Sequence, residues 1–129
     1  MRERETDPSV IMHEWGRVTA EVASVVAPIR LLLRSAATTD PDLARLLTDL
    51  DDERLERMRR HARFLQERGC LRADVTVAQA ADVLWACSSA ELCEVLVIQR
   101  GWVIGHFAGF INDMMISGLL PRPAPPDTS

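Results

Sequence analysis

The side chains that most often catalyse reactions or bind metals are few in this chain and widely separated. They are three histidines, His13, His61 and His106, and three cysteines, Cys70, Cys87 and Cys93. No pair of them has the spacing of a zinc site, and the chain contains no Gly-rich phosphate loop and no metalloprotease or hydrolase motif. The sequence therefore predicts a protein that is not an enzyme and that uses no metal and no cofactor.

A second set of side chains favours the binding of a small molecule. It combines aromatic groups with a few hydrogen-bonding groups: Trp15, Glu21, Phe64, Trp85, Ser88 and Ser89. Apolar walls with sparse polar anchors are typical of small-molecule pockets. The same residue types also make up an ordinary helical core, so the residues by themselves leave both interpretations open.

The composition excludes several classes of protein. The 129 residues fit one domain, and 47% of them are hydrophobic, which is enough for a core. A net charge of -4 argues against a basic nucleic-acid-binding surface. Three cysteines without a paired pattern, together with a charged N-terminus, indicate a reduced, cytoplasmic protein without a secretory leader. No apolar run reaches the roughly 18 residues of a membrane span, so no membrane partner is expected.

Apolar residues recur at helical spacing, and capping residues mark the helix boundaries. The N-terminal marks are Asp7-Pro8, Asp40-Pro41 and the Thr76/Gln79 pair, and the C-terminal marks are Gly69 and Gly101. We predict an all-α fold of about five helices, packed as an orthogonal or antiparallel bundle: Pro8–Ser35, Pro41–Leu50, Glu53–Arg68, Val77–Gln99 and Trp102–Leu120. One domain, residues 8–121, is expected between a charged stub, residues 1–7, and a disordered, Pro-rich tail, residues 122–129.

Two helical faces carry contrasting patterns. In the first helix a stripe of apolar residues is expected to pack against the core: Ile11, Trp15, Val18, Val22, Val25, Ile29 and Leu32. In the third helix, arginines such as Arg54 and Arg57 alternate with acids. This alternation is typical of a solvated charged surface rather than of a phosphate site.

The fourth and fifth helices are apolar around most of their circumference, which one chain of this size does not cover. Four such side chains left in water would forgo roughly 6–12 kcal/mol, comparable with the whole stability of a small domain. A second copy is the simplest cover, with two helices from each subunit forming a four-helix interface. Gly101, Gly105 and Gly109 fit the close approach of a partner, although chance and helix fraying explain them equally well.

The segment from Gly69 to Trp102 resembles the C-terminal regulatory domain of tetracycline-repressor-type (TetR) transcriptional regulators. The matching positions are Gly69, Leu71, Arg72, Ala80, Ala81, Asp82, Leu84, Trp85, Ser89, Glu91, Leu92, Arg100, Gly101 and Trp102. The segment Leu31–Leu47 is similar to the connection between the first two helices of that domain, and the likeness extends from about Pro8 to Pro121. Cys93 stands where the family commonly has an aromatic residue, and the family's N-terminal helix-turn-helix does not precede this region.

The resemblance implies a ligand-sensing and dimerisation domain of a transcriptional regulator, with a small, largely apolar effector between the first, third and fourth helices. The residues expected to bind the effector are Trp15, Val18, Glu21, Val22, Phe64, Trp85, Ser88 and Ser89. The residues expected in the homodimer interface are Cys93, Leu96, Val97, Trp102, Phe107, Phe110, Ile111 and Met114. DNA contact is expected only through a helix-turn-helix domain absent from this chain. The alternative is a structural dimerisation or interaction module that binds no small molecule.

Overall fold

The computed structural model describes residues 7–122, and within that range the chain is all helical, as predicted. Its helices are α1 (Pro8–Ala37), α2 (Pro41–Glu67), α3 (Val77–Cys87), the short α4 (Ala90–Cys93), which continues directly as a π-helix (Glu94–Gln99), and α5 (Ile104–Leu119). Four of them are long α-helices, α1, α2, α3 and α5, whereas five long helices were predicted. The predicted stub and tail lie almost entirely outside the described residues. None of the described helices is long and apolar enough to cross a membrane.

Predicted N-cap residues lie at the starts of α1, α2 and α3. The carboxylate of Asp7 accepts a hydrogen bond from the backbone N–H of Ser9, 3.0 Å away, and the carboxylate of Asp40 does the same at the start of α2. At α3 the Thr76 hydroxyl accepts from the N–H of Gln79 at 3.1 Å, and the Gln79 side chain accepts from the N–H of Thr76 at 3.0 Å. These bonds satisfy donors that a helix leaves unpaired, and the predicted caps are confirmed.

Two glycines end helices as predicted. Gly69 follows α2 with φ of +68°, and Gly101 follows the π-helix with φ of +74°. In both cases the next amide closes the turn: the N–H of Cys70 donates to the carbonyl of Leu65, and that of Trp102 donates to the carbonyl of Leu96. The left-handed conformation that these turns require favours glycine.

The predicted break between the second and third helices is wrong, because α2 runs through it without interruption. The acidic pair Asp51 and Asp52 looks like the start of a new helix in the sequence. In the structure the Asp51 carboxylate instead accepts a hydrogen bond from Arg30 of α1, 2.9 Å away. A partner distant in sequence has therefore replaced the local capping interaction.

The predicted helix Val77–Gln99 is interrupted at two serines. Ser88 ends α3, and Ser89 begins α4, where its hydroxyl accepts a hydrogen bond from the N–H of Leu92 at 3.3 Å. The interruption gives the two halves different neighbours, since α3 packs mainly on α2 whereas α4 packs mainly on α1. The apolar circumference of this segment is thus partly covered within the chain.

Small residues on one face of α1 form the centre of the core. Gly16, Ala20, Ala23 and Ala27 are buried, and α1 has its most extensive contact with α5. A Cβ added at Gly16 would lie 3.2 Å from the Cβ of Asn112 and 3.3 Å from its backbone. The two helices therefore approach closely along this face.

The opposite face of α1 carries large apolar side chains that are exposed. We call these residues the outer stripe: Val18, Val22, Val25, Ile29 and Leu32, whose exposed fractions run from 42% to 74%. Ile11 and Trp15, which begin the predicted stripe, are buried as expected. For the other five the expectation of core packing is wrong. Larger side chains on the buried face would overfill the close contact with α5, and overpacking is destabilising.

Candidate functional site

An open cleft of about 530 Å³ lies where α1, α2, α3, α4 and α5 meet. Four of the side chains that line it are charged: Arg30, Asp51, Arg54 and Glu91. The other lining residues are mainly apolar: Trp85, Ala86, Ser89, Leu92, Val95 and Met114. Clefts of roughly 300–1,000 Å³ with apolar walls and a few polar groups are typical of small-molecule sites. The cleft is therefore the candidate site.

The interruption at Ser88 and Ser89 builds one wall of the cleft. Trp85 and Ala86 belong to the last turn of α3, and Leu92 belongs to α4 on the other side of the interruption. In a continuous helix Trp85 and Leu92, seven residues apart, would lie on the same side of one straight axis and would not enclose a concave surface. The change of direction instead brings the ends of two helices around one concave surface.

An arginine–carboxylate network joins the helices around the cleft. The Arg30 guanidinium donates to the carboxylate of Asp51 at 2.9 Å and to that of Glu91 at 3.0 Å. Arg34, one turn further along α1, donates to Glu94 at 3.0 Å. The network ties α1 to α2, α4 and the π-helix, and it fixes one end of the cleft.

The surroundings of Arg30 and Glu91 favour the charged forms of these two side chains. Burial lowers the pKa of Arg30, but the hydrogen bonds from Arg30 to Asp51 and Glu91 outweigh it, and the net shift is upward. Burial raises the pKa of Glu91, but a backbone hydrogen bond and Arg30 outweigh that effect, and the net shift is downward. Asp51 and Glu91 are therefore engaged by Arg30 as partners in ion pairs.

Arg54 has a different environment. One of its terminal nitrogens, Nη1, donates to the backbone carbonyl of Trp85 and to the hydroxyl of Ser88, 2.6 Å away, and its guanidinium carbon lies 4.8 Å from the centre of the Trp85 ring. No carboxylate of the described residues lies within 4.0 Å of it. Burial lowers the pKa of Arg54, and the nearby charges of Asp51 and Glu91 only partly offset this.

The structure places the predicted effector-binding residues in three locations. Trp85 and Ser89 line the cleft, and Ser88 is next to it through its bond with Arg54. Trp15 and Phe64 pack against each other outside the cleft lining, with ring centroids 6.0 Å apart. The remaining three, Val18, Glu21 and Val22, lie on the exposed side of α1, where Glu21 pairs with Arg17.

The predicted interface residues also divide into groups. Cys93, Phe107 and Ile111 are almost fully buried in the core of the single chain. Met114 lines the cleft, and the other four, Leu96, Val97, Trp102 and Phe110, are partly buried against the core. The predicted set therefore includes core residues as well as residues that retain some exposed surface.

The charged residues of the cleft were not among the predicted site residues. Arg30 has a signal in the sequence, because it is the only charged residue in the run from Ala23 to Leu33. An isolated charge in an apolar run indicates a buried or functional partner. Arg54 has no such signal, since it is one of many arginines in its helix and its partner Trp85 is distant in sequence.

No group of three metal-binding side chains comes together among residues 7–122. Cys70, Cys87 and Cys93 are buried, and burial raises the pKa of each thiol, to about 11 for Cys87. No family model, no curated protein and no solved structure matches the chain.

Proposed function

We propose that this chain is the effector-sensing and dimerisation domain of a TetR-type transcriptional regulator, and that a small, largely apolar effector binds in the cleft. The observation that supports the proposal is the position of the cleft. Its walls come from α1, from the middle of α2 and from both sides of the Ser88–Ser89 interruption. These are the helices between which the sequence resemblance implies an effector.

Binding in the cleft acts on the junction between α3 and α4. A ligand that contacts Trp85 on one side and Leu92 on the other favours one angle between the two helices over others. The π-helix follows α4 directly, and both the π-helix and α3 contact α5, so the change reaches the last helix. In a dimeric regulator such a shift alters the spacing of two separate helix-turn-helix domains, which make the DNA contact.

A second copy of the chain completes the proposal. Val95, Ile98 and Val103, near the junction of the π-helix and α5, expose 46%, 47% and 72% of their surface. On α5, a Cβ added at Gly105 or Gly109 would meet nothing within 4 Å, so another backbone has room to approach. A two-fold contact through these helices buries the exposed side chains. Sedimentation velocity that shows only a monomer at micromolar concentration contradicts this part.

Thermal unfolding of the full chain in the presence of a panel of small hydrophobic compounds tests the effector proposal. A compound at one hundred times its Kd stabilises the folded chain by about 2.7 kcal/mol. We expect Trp85→Ala, which removes a wall of the cleft, to abolish the shift in Tm. Val103→Ala removes an exposed side chain outside the cleft and should retain the shift. A panel without a stabilising compound, or shifts unchanged in Trp85→Ala, would contradict the proposal.

The outer stripe of α1 favours a second candidate, an interaction module that binds no small molecule. Its five residues are spaced alternately by four and three positions, which is the spacing of a coiled-coil seam. We expect Val25→Glu, in the middle of the stripe, to abolish self-association in sedimentation while the chain stays folded. Thr48→Glu, on an exposed position of α2, is the matched control. Unchanged association in Val25→Glu removes the support for this candidate.

A further inference from the structure

Arg54 is a cation of the cleft that forms no ion pair with any carboxylate of residues 7–122. The Arg30 guanidinium donates hydrogen bonds to the carboxylates of Asp51 and Glu91, whereas the hydrogen bonds of Arg54 within residues 7–122 go to neutral acceptors on Trp85 and Ser88. Both bonds use the same nitrogen, Nη1. A guanidinium has five N–H donors, so the donors on Nε and Nη2 have no hydrogen-bond partner among the described residues. Partly burying a charged group without a partner is unfavourable, which marks this position as one that a ligand completes.

The geometry around Arg54 is already fixed. One nitrogen, Nη1, donates to the carbonyl of Trp85 and to the hydroxyl of Ser88, and the guanidinium carbon lies over the Trp85 ring, 4.8 Å from its centre. These contacts remove rotational freedom of a long side chain before any ligand arrives, which reduces the entropy lost on binding. A planar guanidinium with two neighbouring N–H groups free matches the two oxygens of a carboxylate.

The other charges of the cleft select for a single negative charge on the ligand. Asp51 and Glu91 already pair with Arg30, so a cationic ligand would share these carboxylates with Arg30 and would be repelled by its charge and by that of Arg54. An anion gains the free donors of Arg54 without breaking any bond, although Asp51 and Glu91 disfavour further negative charge. The rest of the lining is mainly apolar, through Leu92, Val95, Met114 and neighbouring residues.

We infer that the effector is an amphipathic monocarboxylate, whose carboxylate binds the free N–H groups of Arg54 and whose hydrocarbon part lies against Trp85, Leu92 and Met114. The inference rests on the proposed function, because it names the class of ligand that occupies the same cleft. It also accounts for the position of Arg54 in a helix whose other arginines are paired with acids or exposed.

Isothermal titration calorimetry with three matched probes tests the inference: decanoate, decanol and decylammonium. They share a chain length and differ in the charge of the head group. We expect decanoate to bind the wild-type chain about ten- to hundredfold more tightly than decanol, the range for a charge-assisted bidentate pair. Arg54→Gln should reduce this ratio to near one. Arg57→Gln, which removes the same charge from an exposed position outside the cleft lining, should leave the ratio unchanged.

The outcomes separate the inference from the proposed function. Equal affinity for decanoate and decanol, or tighter binding of decylammonium, overturns the inference and leaves the proposed function standing. If none of the three probes binds and the hydrophobic panel also lacks a stabilising compound, both fail together. Arg54→Lys keeps the charge but loses the planar pair of donors, and it should give an intermediate ratio. If Arg54→Gln does not fold, the Lys variant and the wild-type ratio still decide the question.

Discussion

Gly16 offers the sharpest test of how α1 packs on α5. A methyl group at this position would lie 3.2 Å from the Cβ of Asn112 and 3.3 Å from its Cα and backbone nitrogen. Two of these atoms belong to the backbone of α5, which cannot move aside as the end of a flexible side chain can. Overpacking of a well-packed core costs about 1–3 kcal/mol, which exceeds the roughly 1 kcal/mol that alanine gains over glycine in a helix. We therefore expect Gly16→Ala to lower the free energy of unfolding by up to about 2 kcal/mol.

Gly109 is the matched control on the partner helix. A Cβ added there would meet nothing within 4 Å, and the residue lies inside α5 with no positive φ. Gly109→Ala should therefore raise the free energy of unfolding by about 1 kcal/mol from helix propensity alone. The same substitution is thus expected to change the free energy of unfolding in opposite directions at the two sites, with a difference of about 1–3 kcal/mol.

Urea unfolding followed by far-UV circular dichroism measures both variants, with an unchanged m-value as the sign that only stability has changed. If Gly16→Ala is as stabilising as Gly109→Ala, the close contact between α1 and α5 is refuted. Sedimentation equilibrium adds a second readout for the proposed dimer. A partner backbone close to Gly109 makes Gly109→Ala weaken association even though it stabilises the single chain.

Three further predictions concern charged, titratable and thiol groups. A double-mutant cycle with Arg30→Gln and Asp51→Asn should give a coupling energy of about 1 kcal/mol, because the pair is 2.9 Å apart and the Arg30 side chain is only 19% exposed; purely additive effects would contradict the pairing. Burial, with smaller contributions from Arg57 and Arg60, lowers the pKa of His61, so the unfolded chain binds more protons and stability should fall as the pH drops below about 6.5. His61→Phe keeps a ring against Trp15 and should flatten this part of the stability profile, as urea unfolding between pH 7.5 and 5.5 would reveal. Because burial raises the pKa of Cys87 to about 11 and also raises those of Cys70 and Cys93, a thiol reagent at pH 8 should label the chain only after unfolding; rapid labelling of the native chain would show that these thiols are accessible.

Signals that are local in the sequence predicted local structure well. The caps at Asp7, Asp40 and Thr76 act within three residues, and the glycines at 69 and 101 act within one turn. Such interactions depend little on the rest of the chain, so residue type and spacing are sufficient to identify them. They fixed most helix ends correctly and supported the all-α fold.

The orientation of α1 was not predictable from periodicity in the same way. The outer stripe and the buried face are both apolar, and the pattern favours the larger side chains as the buried ones. The structure reverses this choice because Gly16, Ala20 and Ala27 permit a backbone distance that Val or Leu would prevent. The face of α1 that is buried depends on the surface of α5 that packs against it. The residue pattern of α1 alone gives no information about that surface.

The candidate site was predicted only in part. Trp85 and Ser89 were identified because aromatic and hydroxyl groups stand out in an apolar segment. The charged part of the cleft arises from pairs separated by long stretches of chain, 21 residues between Arg30 and Asp51 and 61 between Arg30 and Glu91. Pairs at such distances come together only through the tertiary fold, and no local spacing records them.

The π-helix at Glu94–Gln99 has a consequence for how the length of this chain can change. Its hydrogen bonds span one residue more per turn than those of an α-helix, so the segment holds a residue that a regular helix does not need. Deletion of one residue within 94–99 should convert it to an α-helix and keep α5 in place, whereas a deletion within α3 or α5 rotates the later side chains of that helix by about 100°. The loss of one codon is therefore absorbed most easily at this point of the gene.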